Sequence, residues 1–149
     1  MIYLGADHGG FDLKEKLKEF LTTLNIEFID VGAFELNMDD DYTDFTEKVV
    51  SEVAKDLGNN KGVIICRTGT GSAILANKHD GIMAVEASTV LMAEKARSNN
   101  NANILALGGD IVGVDAAKDI LKTFLETPFD DKERYIRRIE DIKEVEKNN

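Results

Sequence analysis

The 149-residue sequence predicts a three-layer α/β/α chain of Rossmann-like kind, with a five-stranded parallel sheet and an additional C-terminal helix. Three observations carry that expectation. Short β-branched runs alternate with longer segments of helical period from end to end. The central runs are apolar at consecutive positions, as in Val63-Ile64-Ile65, the pattern of a strand covered on both faces. Nine of the twelve glycines sit at or just beyond the carboxyl ends of the runs, where an open parallel sheet binds its ligands. Such alternation favours parallel strands joined by right-handed crossovers.

The strand candidates are Met1–Ala6, Glu27–Val31, Gly62–Cys66, Gly81–Glu86 and Asn103–Leu107, each too short for a helix and bounded by glycine or polar residues. After the first, Leu13, Leu17, Phe20, Leu21 and Leu24 recur at intervals that make one buried helical face. Tyr42–Leu57 repeats the pattern with Phe45, Val49, Val50, Val53 and Leu57, and a further helix is expected to begin near Ala73. Ala116–Leu125 presents Ile120, Leu121, Phe124 and Leu125; Pro128 then stops the helix. Residues 131–147 resume helical character with Ile136, Ile139, Ile142 and Val145. No linker, composition break or repeat divides the chain, so residues 1–149 are expected to form one domain.

Charge and cysteine content remove several classes of function. Acidic groups number 28 against 18 basic ones, for a net charge of −10 and an isoelectric point near 4.7. Such a chain repels a phosphate backbone, and no nucleic-acid partner is expected. No apolar stretch approaches the ~20 residues of a membrane helix, so no membrane association is expected. A single cysteine forms no internal disulfide, and with no signal-like leader the expected location is cytoplasmic. The few arginines are concentrated: Arg134, Arg137 and Arg138 fall within five residues, and Arg67 adjoins the cysteine.

The chemistry-bearing residues collect after the strands. In Cys66-Arg67-Thr68-Gly69-Thr70-Gly71-Ser72 a buried strand runs into a loop of small residues and then a helix, which offers free N–H groups to an oxyanion or phosphate. The dinucleotide fingerprint is incomplete, because Ile74 stands at its third glycine, and no lysine makes a P-loop; no nucleotide cofactor is expected. A lone cysteine is more often a small buried hydrophobe than a nucleophile, but a helix N-terminus and a neighbouring guanidinium favour its thiolate. Asp7-His8-Gly9-Gly10 closes the first strand at the same edge, with Asp7 either a ligand contact or a cap of the next helix. His8, His79 and Cys66 are too scattered for a zinc pattern, and Asp39-Asp40-Asp41 lacks the glycine and glutamate of a calcium loop; no metal is expected, and the acidic run reads as a solvated turn. Arg134 and Arg138, four apart, share a helix face that is either a charge-balanced surface or a grip for a phosphate monoester.

Asp7-His8-Gly9-Gly10-Phe11, Asp30-Val31-Gly32, Asp41-Tyr42, Cys66 to Gly71 with Ala76-Asn77-Lys78, and Asn100-Asn101-Ala102-Asn103 through Gly108-Gly109 together resemble the type B ribose-5-phosphate isomerase and galactose-6-phosphate isomerase family, in order and over nearly the whole chain. The resemblance implies a cofactor-free aldose–ketose isomerase of a sugar phosphate, built as a homodimer or dimer of dimers with active sites at the subunit interface. It casts Cys66 as the base between C1 and C2, with Thr68, Gly69, Thr70 and Gly71 as the cradle of the enediolate oxygen. Asp7 and His8 become sugar and phosphate contacts, Tyr42 a pocket wall, Arg134 and Arg138 the phosphate grip, and Asn100 a residue reaching in from the partner subunit. The chain departs from the family at Asn99, where the ring-opening histidine usually stands, at Asp110, where an arginine is usual, and at Arg67, where a glycine is usual. The coincidence of the last two suggests that Arg67 supplies the charge that Asp110 removes. The alternatives are an isomerase of another aldose phosphate, such as galactose or allose 6-phosphate, and a non-catalytic sugar-phosphate-binding subunit.

Overall fold

The computed structural model describes residues 1–149. The elements follow as β1 (Ile2–Ala6), α1 (Phe11–Thr23), β2 (Phe28–Asp30), α2 (Tyr42–Ala54), β3 (Lys61–Cys66), α3 (Thr70–Ala76), β4 (Ala84–Glu86), α4 (Val90–Ser98), β5 (Ile104–Gly108), α5 (Val114–Glu126) and α6 (Glu133–Lys147). The strands form one all-parallel sheet in the order β2-β1-β3-β5-β4. The expected three-layer fold is therefore the observed one.

Side-chain alternation along the central strands divides the core. Leu4, Val63, Ile65, Leu105 and Leu107 pack with Leu13, Leu17 and Leu21 of α1, Ala93 of α4 and Ile120, Leu121 and Phe124 of α5. On the other face Ile64 and Ile104 meet Val49, Val50 and Val53 of α2 and Ala76 of α3. The helices hold these faces because their apolar residues recur at three and four, as Leu13, Leu17 and Leu21 do. Gly62 lets α2 lie close on the sheet: a Cβ there would stand 2.6 Å from Val49 Cγ1. That contact sets the height of α2 and hence of Tyr42 at its first turn.

Three local expectations are corrected. The edge strands β2 and β4 are three residues each, shorter than their apolar runs, because each pairs with only one neighbour. Helix α3 starts at Thr70 rather than near Ala73, since Gly69 takes the left-handed conformation (φ +80°) that turns the chain directly into the helix. Asp7 does not cap α1, whose N-cap is Gly10; its carboxylate instead accepts the Gly9 N–H at 3.0 Å in a tight turn.

Helix α6 stands apart from the layers and buries none of its residues. It is tied at its start by the Asp130 N–H donating to Ser98 O at 2.9 Å, and at its end by the Gly81 N–H donating to the Glu146 carboxylate. Ser98 and Gly81 precede β5 and β4, which places α6 toward the amino-terminal edge of the sheet. No helix is long and apolar enough to cross a membrane.

Candidate functional site

The carboxyl ends of β1, β3 and β5 lie side by side, and three loops leave them together. Cys66 is the last residue of β3, in register with Gly108 of β5. The Gly109 N–H donates to Cys66 O at 2.8 Å and the Asp110 N–H to Arg67 O at 2.9 Å, so the strand pairing continues into the loops. Gly108 is required there: a Cβ would stand 2.8 Å from Thr68 Cα.

Cys66 is 4% exposed, and its Sγ accepts the Gly69 N–H at 3.1 Å. The sulfur thus sits at the foot of the loop with a backbone N–H aimed at it. The first hydrogen bond of α3 runs from the Ala73 N–H to Gly69 O, leaving the Gly71 and Ser72 N–H groups without acceptors in the chain. Those donors, beside a buried sulfur, suit an oxygen that gains charge as a neighbouring proton leaves. The Tyr42 ring lies over Gly71, where an added Cβ would be 2.7 Å from Tyr42 Cζ. Thr68 and Thr70 complete the turn, with the Thr70 N–H reaching Thr68 Oγ1 at 3.4 Å.

Positive charge lies beside this loop. Arg67 runs along Gly9, and its guanidinium faces Asp110 at 3.4 Å with both side chains about half exposed. The gained arginine and the acidic replacement thus meet in space. His8 is anchored by Asp40, whose Oδ1 accepts the His8 backbone N–H and pairs with ring Nδ1, each at 2.8 Å. Asp40 is consequently not part of a solvated turn: its side chain is 9% exposed and Oδ2 is buried without a partner. This residue escaped the sequence reading because its partner is 32 positions away. Hydrogen bonding to Asp40, opposed by partial burial, raises the His8 imidazole above its ordinary value, and Asp7 adds to the shift. Burial likewise raises the Asp7 carboxyl, against the pull of His8. Asp7, His8 and Asp40 form the one close grouping of three such carboxylate and imidazole side chains, and they are engaged mainly with one another and with backbone N–H groups.

The other predicted residues stand elsewhere in the chain. Asn99 and Asn100 follow α4, ahead of β5, at the edge opposite Cys66. Arg97 holds this segment: Nη1 donates to Asn101 Oδ1 at 2.9 Å and to Ala102 O, and burial pulls its guanidinium below the ordinary value. Asn100 lines a cleft with Met83 of the β4 approach and Ile142 and Val145 of α6. Arg134 and Arg138 are exposed on α6 and make no hydrogen bond or ion pair within the chain. One chain therefore gathers Asp7, His8, Tyr42 and Cys66 to Gly71, and leaves Asn99, Asn100, Arg134 and Arg138 apart from them.

The model of one known family, described as Ribose/Galactose Isomerase, matches residues 2–142. The chain belongs to the ribose/galactose isomerase family. Within it, ribose-5-phosphate isomerase B of Mycobacterium tuberculosis (strain ATCC 25618 / H37Rv) is 36% identical over 146 residues, covering 98% of this chain and 90% of that protein. The galactose-6-phosphate isomerase subunit LacA of Streptococcus mutans is 40% identical over 136 residues, covering 91% and 93% respectively. The crystal structure of ribose-5-phosphate isomerase B from Mycoplasma genitalium with bound ribulose 5-phosphate superposes with a TM-score of 0.95 at 34% identity, over 99% of this chain and 97% of that one. The ribose/galactose isomerase fold is thus the fold of this chain at full length.

Proposed function

We propose that this sugar-phosphate isomerase interconverts ribose 5-phosphate and ribulose 5-phosphate through an enediolate, with Cys66 as the base. The observation that carries the reading is the buried Cys66 sulfur held by the Gly69 N–H, next to the unpaired N–H groups of Gly71 and Ser72. In the open-chain aldose the Cys66 thiolate removes the C2 proton, the electron pair moves to form the C1–C2 double bond, and charge develops on the C1 oxygen. Backbone donors take up that charge; one such donor is typically worth about 3–4 kcal/mol of barrier. The Cys66 thiol, its proton exchanged with solvent within the lifetime of the enediolate, then delivers a proton to C1 or back to C2; delivery to C1, with the C2 hydroxyl proton passing to the C1 oxygen, forms the ketone. A remote phosphate holds the reacting carbons against the base, converting binding energy into orientation. His8, Arg67 and, from a second copy of the chain, Arg134 and Arg138 supply its positive surroundings.

The separation of the two residue groups supports a homodimer, because a second copy can bring Asn100 and the arginines to the Cys66 loop. Exposed apolar side chains at Val90 and Leu91 of α4 and Ile136, Ile142 and Val145 of α6 provide a surface for it. Asn99 favours a second reading, since a carboxamide exchanges no proton near neutral pH and leaves ring opening to another group. Under that reading the substrate is a different aldose phosphate, such as galactose 6-phosphate, or the chain binds without turnover.

A panel of aldose phosphates with wild-type and Cys66→Ala protein tests the proposal. Turnover is expected to be fastest on ribose 5-phosphate and to fall at least about 10³-fold in the variant, in the range typical of a removed general base. Preference for a hexose phosphate would replace the substrate assignment, and full activity in Cys66→Ala would remove Cys66 as base.

A further inference from the structure

We propose that Asp40 is a positioning residue for substrate phosphate, holding the His8 ring by Nδ1 so that Nε2 is left as its free donor. The inference rests on the reading of His8 as a phosphate contact and adds a residue to it. Asp40 Oδ1 grips both the His8 backbone N–H and ring Nδ1 at 2.8 Å, so backbone and ring are fixed together. Its other oxygen is buried without a hydrogen-bond partner, and the carboxylate is thereby committed to His8. A buried, half-compensated carboxylate demands a positive partner, and His8 is the one it touches.

The groups facing His8 come from three elements. Asp7 lies beside it after β1, Asp40 reaches it from the segment before α2, and Arg67 approaches from the loop after β3. The two carboxylates favour the imidazolium and Arg67 opposes it, while Asp110 after β5 partly neutralises Arg67. The balance lies on the side of the charged ring, chiefly through the Asp40 hydrogen bond. A phosphate monoester takes its second charge at a pH of about 6. Dianion and imidazolium therefore coexist from there up to the raised His8 midpoint, and a charge-assisted N–H donor is the stronger kind. Without Asp40 that window narrows from its upper side.

The chain contains only two histidines, His8 and His79, so ring-proton NMR can follow each, with His79→Gln giving the assignment. In the wild type the His8 midpoint is expected above the ordinary value of about 6.5. In Asp40→Asn it should fall toward that value, with Asp40→Glu restoring part of the shift. Calorimetric binding of inorganic phosphate and of ribose 5-phosphate should lose affinity at correspondingly lower pH in Asp40→Asn. A wild-type His8 midpoint at or below about 6.5 overturns the proposal without any variant. So does a midpoint shift in Asp40→Asn that leaves the binding profile where it was. His8→Asn separates the two levels. If phosphate binding is unchanged by that substitution, the reading of His8 falls and the role of Asp40 with it. If binding drops in His8→Asn but Asp40→Asn behaves as wild type, only the role of Asp40 is lost.

Discussion

Cys66 and Arg67 are adjacent in sequence and meet opposite environments. The sulfur is buried under a backbone donor, whereas the guanidinium lies half exposed against Asp110 at 3.4 Å. An exposed pair of that length contributes at most about 1 kcal/mol, so an incoming phosphate dianion can compete with Asp110 for Arg67. We expect Arg67→Ala to raise KM for ribose 5-phosphate about tenfold, or roughly 1.4 kcal/mol, with kcat little changed. An unchanged KM in steady-state kinetics would mean that Arg67 serves only Asp110. The residue scale also shows what a sequence can announce. Cys66 stood out through its neighbours, a strand before it and glycines after it. Asp40 looked like one of three acids in a solvated run, because nothing local in Asp39-Asp40-Asp41 distinguishes the carboxylate that folds onto a histidine 32 positions away.

The elements that carry a regular apolar stripe were legible at once. Leu13, Leu17 and Leu21, or Ile120, Leu121 and Phe124, face the sheet because their spacing allows no other buried face. Helix α4 has no such stripe: its buried positions are Ala93, Ala96 and Arg97, and small side chains against α5 replace the usual large ones. The start of α3 was misplaced because Thr70-Gly71-Ser72 has weak helical propensity, and the left-handed Gly69 overrides it. The segment between β2 and α2 depends on a different device. Lys14 of α1 is fully buried and donates to both oxygens of Asp30, at 2.6 and 2.7 Å, and to Ala33 O. Removing the carboxylate leaves a buried ammonium, and Asp30→Ala is expected to destabilise the fold by about 3–5 kcal/mol in denaturant unfolding. Burial alone would raise the Asp30 carboxyl, but hydrogen bonds from Lys14 and Lys18 hold it below the ordinary value. Its contribution is therefore complete above a pH of about 3.9 and is lost as pH falls through the lower folded value. Wild-type stability should drop across that acid window and the Asp30→Ala variant should drop less; parallel curves would contradict the assignment.

The distribution of the proposed site residues over the whole molecule is the ground for proposing that one chain is an incomplete catalyst. The Cys66 loop, His8 and Tyr42 share the carboxyl edge of the sheet, while Asn99, Asn100 and the arginines of α6 belong to the other end. A 15-residue helix with no buried side chain and three exposed aliphatic residues has a face that needs covering. The chain is also strongly acidic, so its scarce arginines matter most where a dianion must be held. Ile142→Asp is expected to shift the protein from dimer to monomer in sedimentation and to remove turnover, with the Cys66 loop left unaltered in that chain. A monomeric wild type with full activity would show that the site needs no second copy. The sequence could place both groups of residues on their elements, but the proposed union of the two groups across an interface depends on quaternary packing that hydrophobic pattern does not specify.

The central claim is that Cys66 moves a proton at C2 of a sugar phosphate, and solvent deuterium exchange measures it directly. In deuterated water the wild type should incorporate deuterium at C2 of ribose 5-phosphate at a rate commensurate with ketose formation. Cys66→Ala should bind the sugar phosphate with similar affinity and incorporate none. Binding by the wild type without exchange, or exchange that survives in Cys66→Ala, would contradict the account.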